Sequence, residues 1–288
     1  MMESIIERKL TDDRPQTLML NRPRSRLTAI LALVVSLLVL YASLRGVLDK
    51  HLYIDAIAAG VLSKSLLAAI RLQDQLSIPF AVTLLIVSVS HFLYAGYKTF
   101  LVLLGLVGNF LYAYGLFVIS GNFTAIYLVY LVIFGLSIYS LIFGLTSFEP
   151  EVVRYLQLPV LLRNSISLFL LVIVFIFVFL WVNSLTPLIS KHIRPDTYAV
   201  FILDLCIVMP GLAITAVQLL RRIPFGNVLV GIFLIKILTL ILPVAIGEIL
   251  LSTHTKPTDY SMAAIYSLIV FISLFLSVHY LLKLRLTK

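Results

Sequence analysis

Eight times along this chain a run of roughly twenty residues passes with scarcely a charged group, the length a helix needs to cross the hydrocarbon core of a bilayer. The runs lie at about 27–44, 77–96, 100–119, 123–145, 165–185, 198–220, 227–250 and 262–282. In lipid the backbone has no water to bond to, so runs of this kind are confined to helices that satisfy their own N–H and C=O groups. The expected fold class is all-α: a polytopic transmembrane helical bundle of about eight spans. Of 288 residues only 12% are charged, about half the share of a soluble globule. No segment is long and polar enough to fold as a separate soluble domain.

The net charge of +9 does not point to nucleic acid, because the basic residues stand singly or in pairs at the ends of the apolar runs. That placement sets membrane orientation. Fourteen Lys and Arg fall on the side of the chain ends and seven on the other, with Lys236 left inside a run. Both termini are therefore expected in the cytoplasm, with a tail at 1–26, the eight-span domain at 27–282 and a second tail at 283–288. The polar 1–26 segment delays the first apolar run too far for a secretory signal, so that run is read as retained. Within 52–71, Ile54, Ile57, Ala58, Val61, Leu62, Leu66 and Ile70 recur at helical spacing, while Asp55, Lys64 and Arg71 interrupt the opposite side. An amphipathic helix on the outer surface fits this pattern better than a ninth span.

The halves carry a parallel 4+4 repeat signal. Asp74 precedes Pro79 by five residues, Asp204 precedes Pro210 by six, and each following segment returns to a short basic turn. An offset of four spans preserves orientation, so the repeat would be parallel rather than inverted.

Gln73-Asp74, Asn109-Phe-Leu-Tyr112-Ala-Tyr114, Leu203-Asp204 with Pro210, and Leu219-Leu220-Arg221-Arg222-Ile-Pro224-Phe-Gly226 resemble a group of eight-span bacterial integral membrane proteins with no established activity. The resemblance covers about 72–250. It implies the same architecture in a bacterial inner membrane and adds no mechanism.

Ionisable residues inside spans are costly, about 2.5 to 3.5 kcal/mol at a helix centre on insertion scales, and mark sites. Asp204 shares a helical face with Gly211, Thr215 and Gln218, and the third run offers Gly105, Gly108, Asn109, Tyr112 and Gly115. With Asp74 and Glu248 toward the outer ends of their runs, Asp204, Lys236, Asn109 and Tyr112 form the candidate ligand-binding set. The expected function is binding or transport of a small amphiphile, lipid or solute in an outward-facing polar pocket. The competing explanation is a set of interhelical hydrogen bonds that only hold the bundle together. Straight-helix geometry puts Lys236 about 10 Å nearer the cytoplasmic side than Asp204, so a direct ion pair is not expected.

Two other classes stay open. His91 and His279, both toward the cytoplasmic leaflet, could hold a haem in a membrane redox protein, or the chain could be an accessory or sensory subunit without a small-molecule site. No nucleophile elbow, phosphate-binding loop or metalloprotease motif occurs, so no catalytic residue, metal or cofactor is assigned. Tyr41, Tyr53, Trp181 and Tyr198 are read as interfacial aromatics, and the fifth run as a peripheral, lipid-facing helix.

Overall fold

The computed structural model describes residues 19–254 and 260–286. Among them, eight helices are long and apolar enough to cross a membrane: Arg22–Leu48, Lys64–Tyr94, Tyr97–Ile119, Tyr127–Leu145, Val160–Ser190, Tyr198–Leu220, Gly226–Thr253 and Ser261–Lys283. These are the first to eighth spans below. The all-α bundle read from the apolar runs is what the chain forms. Residues 1–18 of the expected tail, and 287–288 of the second, lie outside the described residues. The first helix starts inside that expected tail, with Asn21 as its N-cap accepting from the Arg24 N–H at 3.3 Å and a proline in the first turn, a favourable start.

Both described ends of the chain lie at one end of the bundle. The Asn21 N–H donates to the Ser147 carbonyl at 2.7 Å, and Leu20 bridges Phe148 antiparallel. Leu156–Gln157 pairs antiparallel with Arg285–Leu286. Asn227 Nδ2 donates to the Leu156 carbonyl at 2.7 Å and Lys98 Nζ to the Leu281 carbonyl at 2.6 Å. The turns after the second, fourth and sixth spans are thereby tied to the chain ends, as an even number of crossings requires. We refer to this as the terminal end.

Packing repeats at an offset of four spans. The first span packs on the second and fourth and the third on the second and fourth, while the fifth, sixth, seventh and eighth make the equivalent ring. The two rings meet along the third and seventh spans, which are the most buried. Flanking that seam, the third touches the sixth and the second touches the seventh, as a two-fold relation parallel to the spans demands. A Cβ placed on Gly105 would stand 2.5 Å from Ile235 Cβ and 3.0 Å from the Ile232 carbonyl. Ile235 follows Gly105 by the same interval as Asp204 follows Asp74, so a residue meets its own counterpart across the seam. Self-meeting of this kind marks a two-fold axis.

The 52–71 segment departs from expectation. One helix does not run through it: His51–Ala58 stops at Gly60, whose φ of +73° favours glycine, and the chain then enters the second span at Lys64. The face that packs is Leu52, Tyr53 and Ala56, whereas Ile54 and Val61 are exposed. Neighbouring tertiary partners, the first span above all, override the local apolar periodicity.

Candidate functional site

The sixth span is not a uniform α-helix. Pro210 has no N–H to give the carbonyl of Cys206, four residues earlier, which an α-helix requires. The chain answers with a π-turn over Asp204–Val208, closed by the Met209 N–H on the Asp204 carbonyl. A π-turn holds one residue more than an α-turn, and one residue is what separates the Asp204 to Pro210 spacing from that of Asp74 to Pro79. The second span stays α-helical through Pro79. Single π-turns concentrate at functional sites, and here one begins at the buried acid.

Asp204 is 5% exposed. Its Oδ2 accepts a hydrogen bond from Trp181 Nε1 of the fifth span at 2.8 Å, and its Oδ1 makes no well-formed hydrogen bond, although the Tyr112 hydroxyl lies near the carboxyl. Tyr112 of the third span and Lys236 of the seventh are within electrostatic reach of the carboxyl. Lys236 Nζ, buried and without a hydrogen-bond partner, sits 4.5 Å from the centroid of the Tyr112 ring, a cation–π geometry. Its stem passes over Gly108, where a Cβ would be 3.9 Å from Lys236 Cδ. Tyr112 thus touches the ammonium with its ring and lies within reach of the acid. No ion pair within 4.0 Å joins Asp204 to Lys236 among the described residues.

Asn109, one turn from Tyr112 and 1% exposed, has an Nδ2 without a partner. Glu248 is half-buried farther along the seventh span, where it and Asp204 both act on the Tyr266 phenol. Thr215 and Gly211, expected on the face of Asp204, are engaged elsewhere: the Thr215 hydroxyl bonds the Gly211 carbonyl, and Gly211 receives the Phe233 ring. The space beside Asp204 is a cavity of about 30 Å³ walled by Ile173, Phe177, Val208, Leu212 and Ile241. That volume suits a water-sized occupant, not the open outward pocket expected from the sequence.

Asp74 occupies the corresponding place in the first half. It is 2% exposed, and its Oδ2 accepts from the Tyr53 hydroxyl at 2.5 Å. Gly46 makes room for the carboxyl: a Cβ there would lie 1.9 Å from Oδ2. Tyr53, outside the spans, has its phenol pushed far above the ordinary value by burial and then by Asp74, which keeps it a donor. The same carboxyl acts through space on the phenols of Tyr114 and Tyr130, and Ser43 Oγ lies 3.4 Å from the Tyr114 hydroxyl. Tyr53 precedes Asp74 by 21 residues and Trp181 precedes Asp204 by 23. Each half therefore supplies its acid with one aromatic donor from the preceding segment.

The histidines are not brought into one site. His91, 1% exposed, has Nδ1 at 3.3 Å from the Gly96 carbonyl and its ring against Phe100. The His279 Nδ1 lies 2.9 Å from the Phe275 carbonyl on its own helix. Each Nδ1 answers a carbonyl within its own turn, and the second and eighth spans are not a principal packing pair.

Trp181 and Tyr53, read as interfacial aromatics, are instead the donors to the two acids; Tyr114 was noted only as part of a motif, and Tyr130 was not singled out. A signal existed for Trp181: an indole N–H within a span needs an acceptor, and Asp204 is the acid of the next span. Compared with known proteins, the chain matches no family model, no curated protein and no solved structure.

Proposed function

We propose that this is a multi-pass membrane protein, with its terminal end in the cytoplasm of a bacterium, that binds or carries a small polar solute or amphiphile at Asp204, Tyr112 and Lys236. One observation carries the reading: an acid oxygen of the sixth span and an ammonium of the seventh, both buried and neither in a well-formed hydrogen bond, converge beside the seam between the halves. Unmet charges in a low-dielectric interior are expensive and serve a ligand that supplies the missing bonds. The donor set suits a molecule bearing a cationic or hydrogen-bond-donating group for Asp204 and an anionic or accepting group for Lys236, as amino acids and zwitterionic headgroups do. Sites of repeat-built carriers sit near the bilayer midplane at the interface of the repeats, beside interrupted helices. The π-turn of the sixth span fits that pattern. The cavity of about 30 Å³ corresponds to a closed arrangement that opens by movement of the fifth and sixth spans away from the seventh.

The test is a thermal-shift screen of the purified chain against zwitterionic amino acids and lysophospholipids, with mass spectrometry of co-purifying molecules. A stabilising compound whose effect disappears in both Asp204→Asn and Lys236→Met supports the reading. A scaffold role is the second reading, favoured by the Trp181 bond and the Tyr112 contact. It prevails if no compound binds and Asp204→Asn lowers thermal stability.

A further inference from the structure

The two acids differ in one respect. Asp204 has a lysine within electrostatic reach, whereas among the described residues the interacting group at Asp74 is the Tyr53 hydroxyl, joined by the phenols of Tyr114 and Tyr130. Arg45, next in sequence to the Gly46 that abuts Asp74, is turned away into an ion pair with Asp49 at 2.7 Å. Glu248 of the neighbouring seventh span acts on Tyr266, and Arg71, one turn earlier on the second span, is exposed. Asp74 is therefore a buried carboxyl surrounded by oxygen and lacking a cationic side chain.

Two further hydroxyls at this place are incompletely satisfied. The Tyr130 hydroxyl, on a residue 1% exposed, and Thr124 Oγ1, on a residue 8% exposed, are buried within reach of each other and make no well-formed hydrogen bond. Tyr130 is within interaction range of Tyr53, Thr124 and Asp74 together, which places its oxygen between the Thr124 hydroxyl and the Tyr53–Asp74 pair. The tilted ring contacts of Tyr114 with Tyr130 at 5.6 Å and of Phe117 with Tyr130 at 5.0 Å hold that phenol in place. The Tyr130 oxygen is thus part of a packed, preformed cluster that Thr124 borders.

We propose that Asp74, with the hydroxyls of Tyr53, Tyr114, Tyr130 and Thr124, forms a site for a small monovalent cation, Na⁺ or a proton. Charge matching selects the class. One carboxylate in a low-dielectric interior is neutralised by one positive charge, and hard oxygen donors suit a hard cation. A divalent ion such as Ca²⁺ takes several carboxylates among six to eight oxygens, and this cluster has one carboxylate. The same comparison explains why the halves diverge: Lys236 provides at Asp204 what the solution provides at Asp74. The site stands apart from Asp204 and its test does not depend on the solute reading.

The experiment uses the purified full-length chain in detergent at constant ionic strength, with NaCl replaced stepwise by choline chloride or KCl at pH 6 to 8.5. Thermal midpoints and the infrared band of protonated carboxyl groups are read together. A saturable rise of the midpoint with Na⁺ alone, lost in Asp74→Asn, identifies the metal cation. No Na⁺ effect, with a protonated-carboxyl band that vanishes in Asp74→Asn, identifies the proton. Should Asp74→Asn fail to fold, Tyr130→Phe keeps the carboxyl and removes one oxygen. It is expected to weaken the apparent Na⁺ affinity roughly tenfold, or to move the pH at which the band disappears. A wild-type midpoint indifferent to Na⁺ together with no band assignable to Asp74 overturns the proposal, as does a Tyr130→Phe variant that responds like the wild type.

Discussion

A methyl group at position 46 probes the Asp74 cluster directly. On Gly46→Ala the new carbon would stand 1.9 Å from Asp74 Oδ2, 2.5 Å from its Cγ and 2.8 Å from the Tyr53 hydroxyl, where ordinary contact needs about 3.5 Å. The carboxyl must retreat by about 1.5 Å to restore that separation, and a retreat of this size breaks its 2.5 Å bond from Tyr53. A hydrogen bond to a charged group contributes about 1.5 to 3 kcal/mol and overpacking costs about 1 to 3 kcal/mol. The expected loss is therefore about 3 to 5 kcal/mol. Unfolding in mixed SDS micelles measures it, with Gly135→Ala, whose Cβ meets nothing within 4 Å, as the control. The decisive readout is the double-mutant cycle. With Asp74→Ala already present, Gly46→Ala should cost only about 1 kcal/mol, because the flexible end of Tyr53 can give way, leaving a coupling of about 2 to 4 kcal/mol. Additive effects, or a Gly46→Ala variant as stable as Gly135→Ala, would refute the placement of the carboxyl against the first span.

Trp181 is the chain's one tryptophan, so its fluorescence reports on Asp204. Asp204→Leu should shift the emission, and Trp181→Phe should cost about 1 to 3 kcal/mol by leaving Oδ2 unpaired; unchanged emission in Asp204→Leu would deny the contact. Lys236→Met, which removes a buried ammonium without a hydrogen-bond partner while keeping the stem over Gly108, should leave thermal stability equal or higher; a marked loss would mean that the ammonium is bonded in the folded chain. Cysteines introduced at Arg222 and Arg285 should be labelled from the cytoplasm and one at His192 from outside, and labelling of the first two from outside would reverse the orientation. Asp49, beyond the first span, is held below the ordinary carboxylate range by the His51 N–H and then by Arg45. Its contribution is present above that range and fades as pH falls through the lowered value, which a carboxyl-resonance titration checks.

The spans were legible because the transfer cost of a charge interrupts every helix at its ends, and that cost acts residue by residue along the sequence. The start of the second span was not. Lys64 and Arg71 look like surface residues, yet the first lies at the helix end and the second faces outward, so both reach water or headgroups. Asp204, Lys236, Tyr112 and Asn109 were legible as polar groups in apolar runs, but how they meet was not. Depths counted along straight helices separated Asp204 from Lys236 by about 10 Å; the structure brings a tyrosine within reach of both, and a ring of that size can serve two helices at once. Trp181 and Tyr53 were misread for a simpler reason: an aromatic ring with a polar edge fits equally a headgroup region or a buried carboxylate, and sequence position alone does not choose.

The π-turn at Asp204–Val208 also absorbs a change of register. One additional residue in an uninterrupted α-helix would rotate everything beyond it by about 100°, and a turn wide enough to hold that residue cancels the rotation. The second and sixth spans can therefore keep corresponding residues facing inward on both the Asp side and the terminal side of their prolines. A duplicated element that gains one residue in such a turn keeps its ends and its neighbours, and the change stays within the turn. Deletion of Ile207, an exposed residue within that turn, would remove the insertion in a single step and return the sixth span to the five-residue spacing of the second. The asymmetry of this otherwise two-fold bundle is concentrated in one reversible insertion, placed beside the acid that faces a lysine.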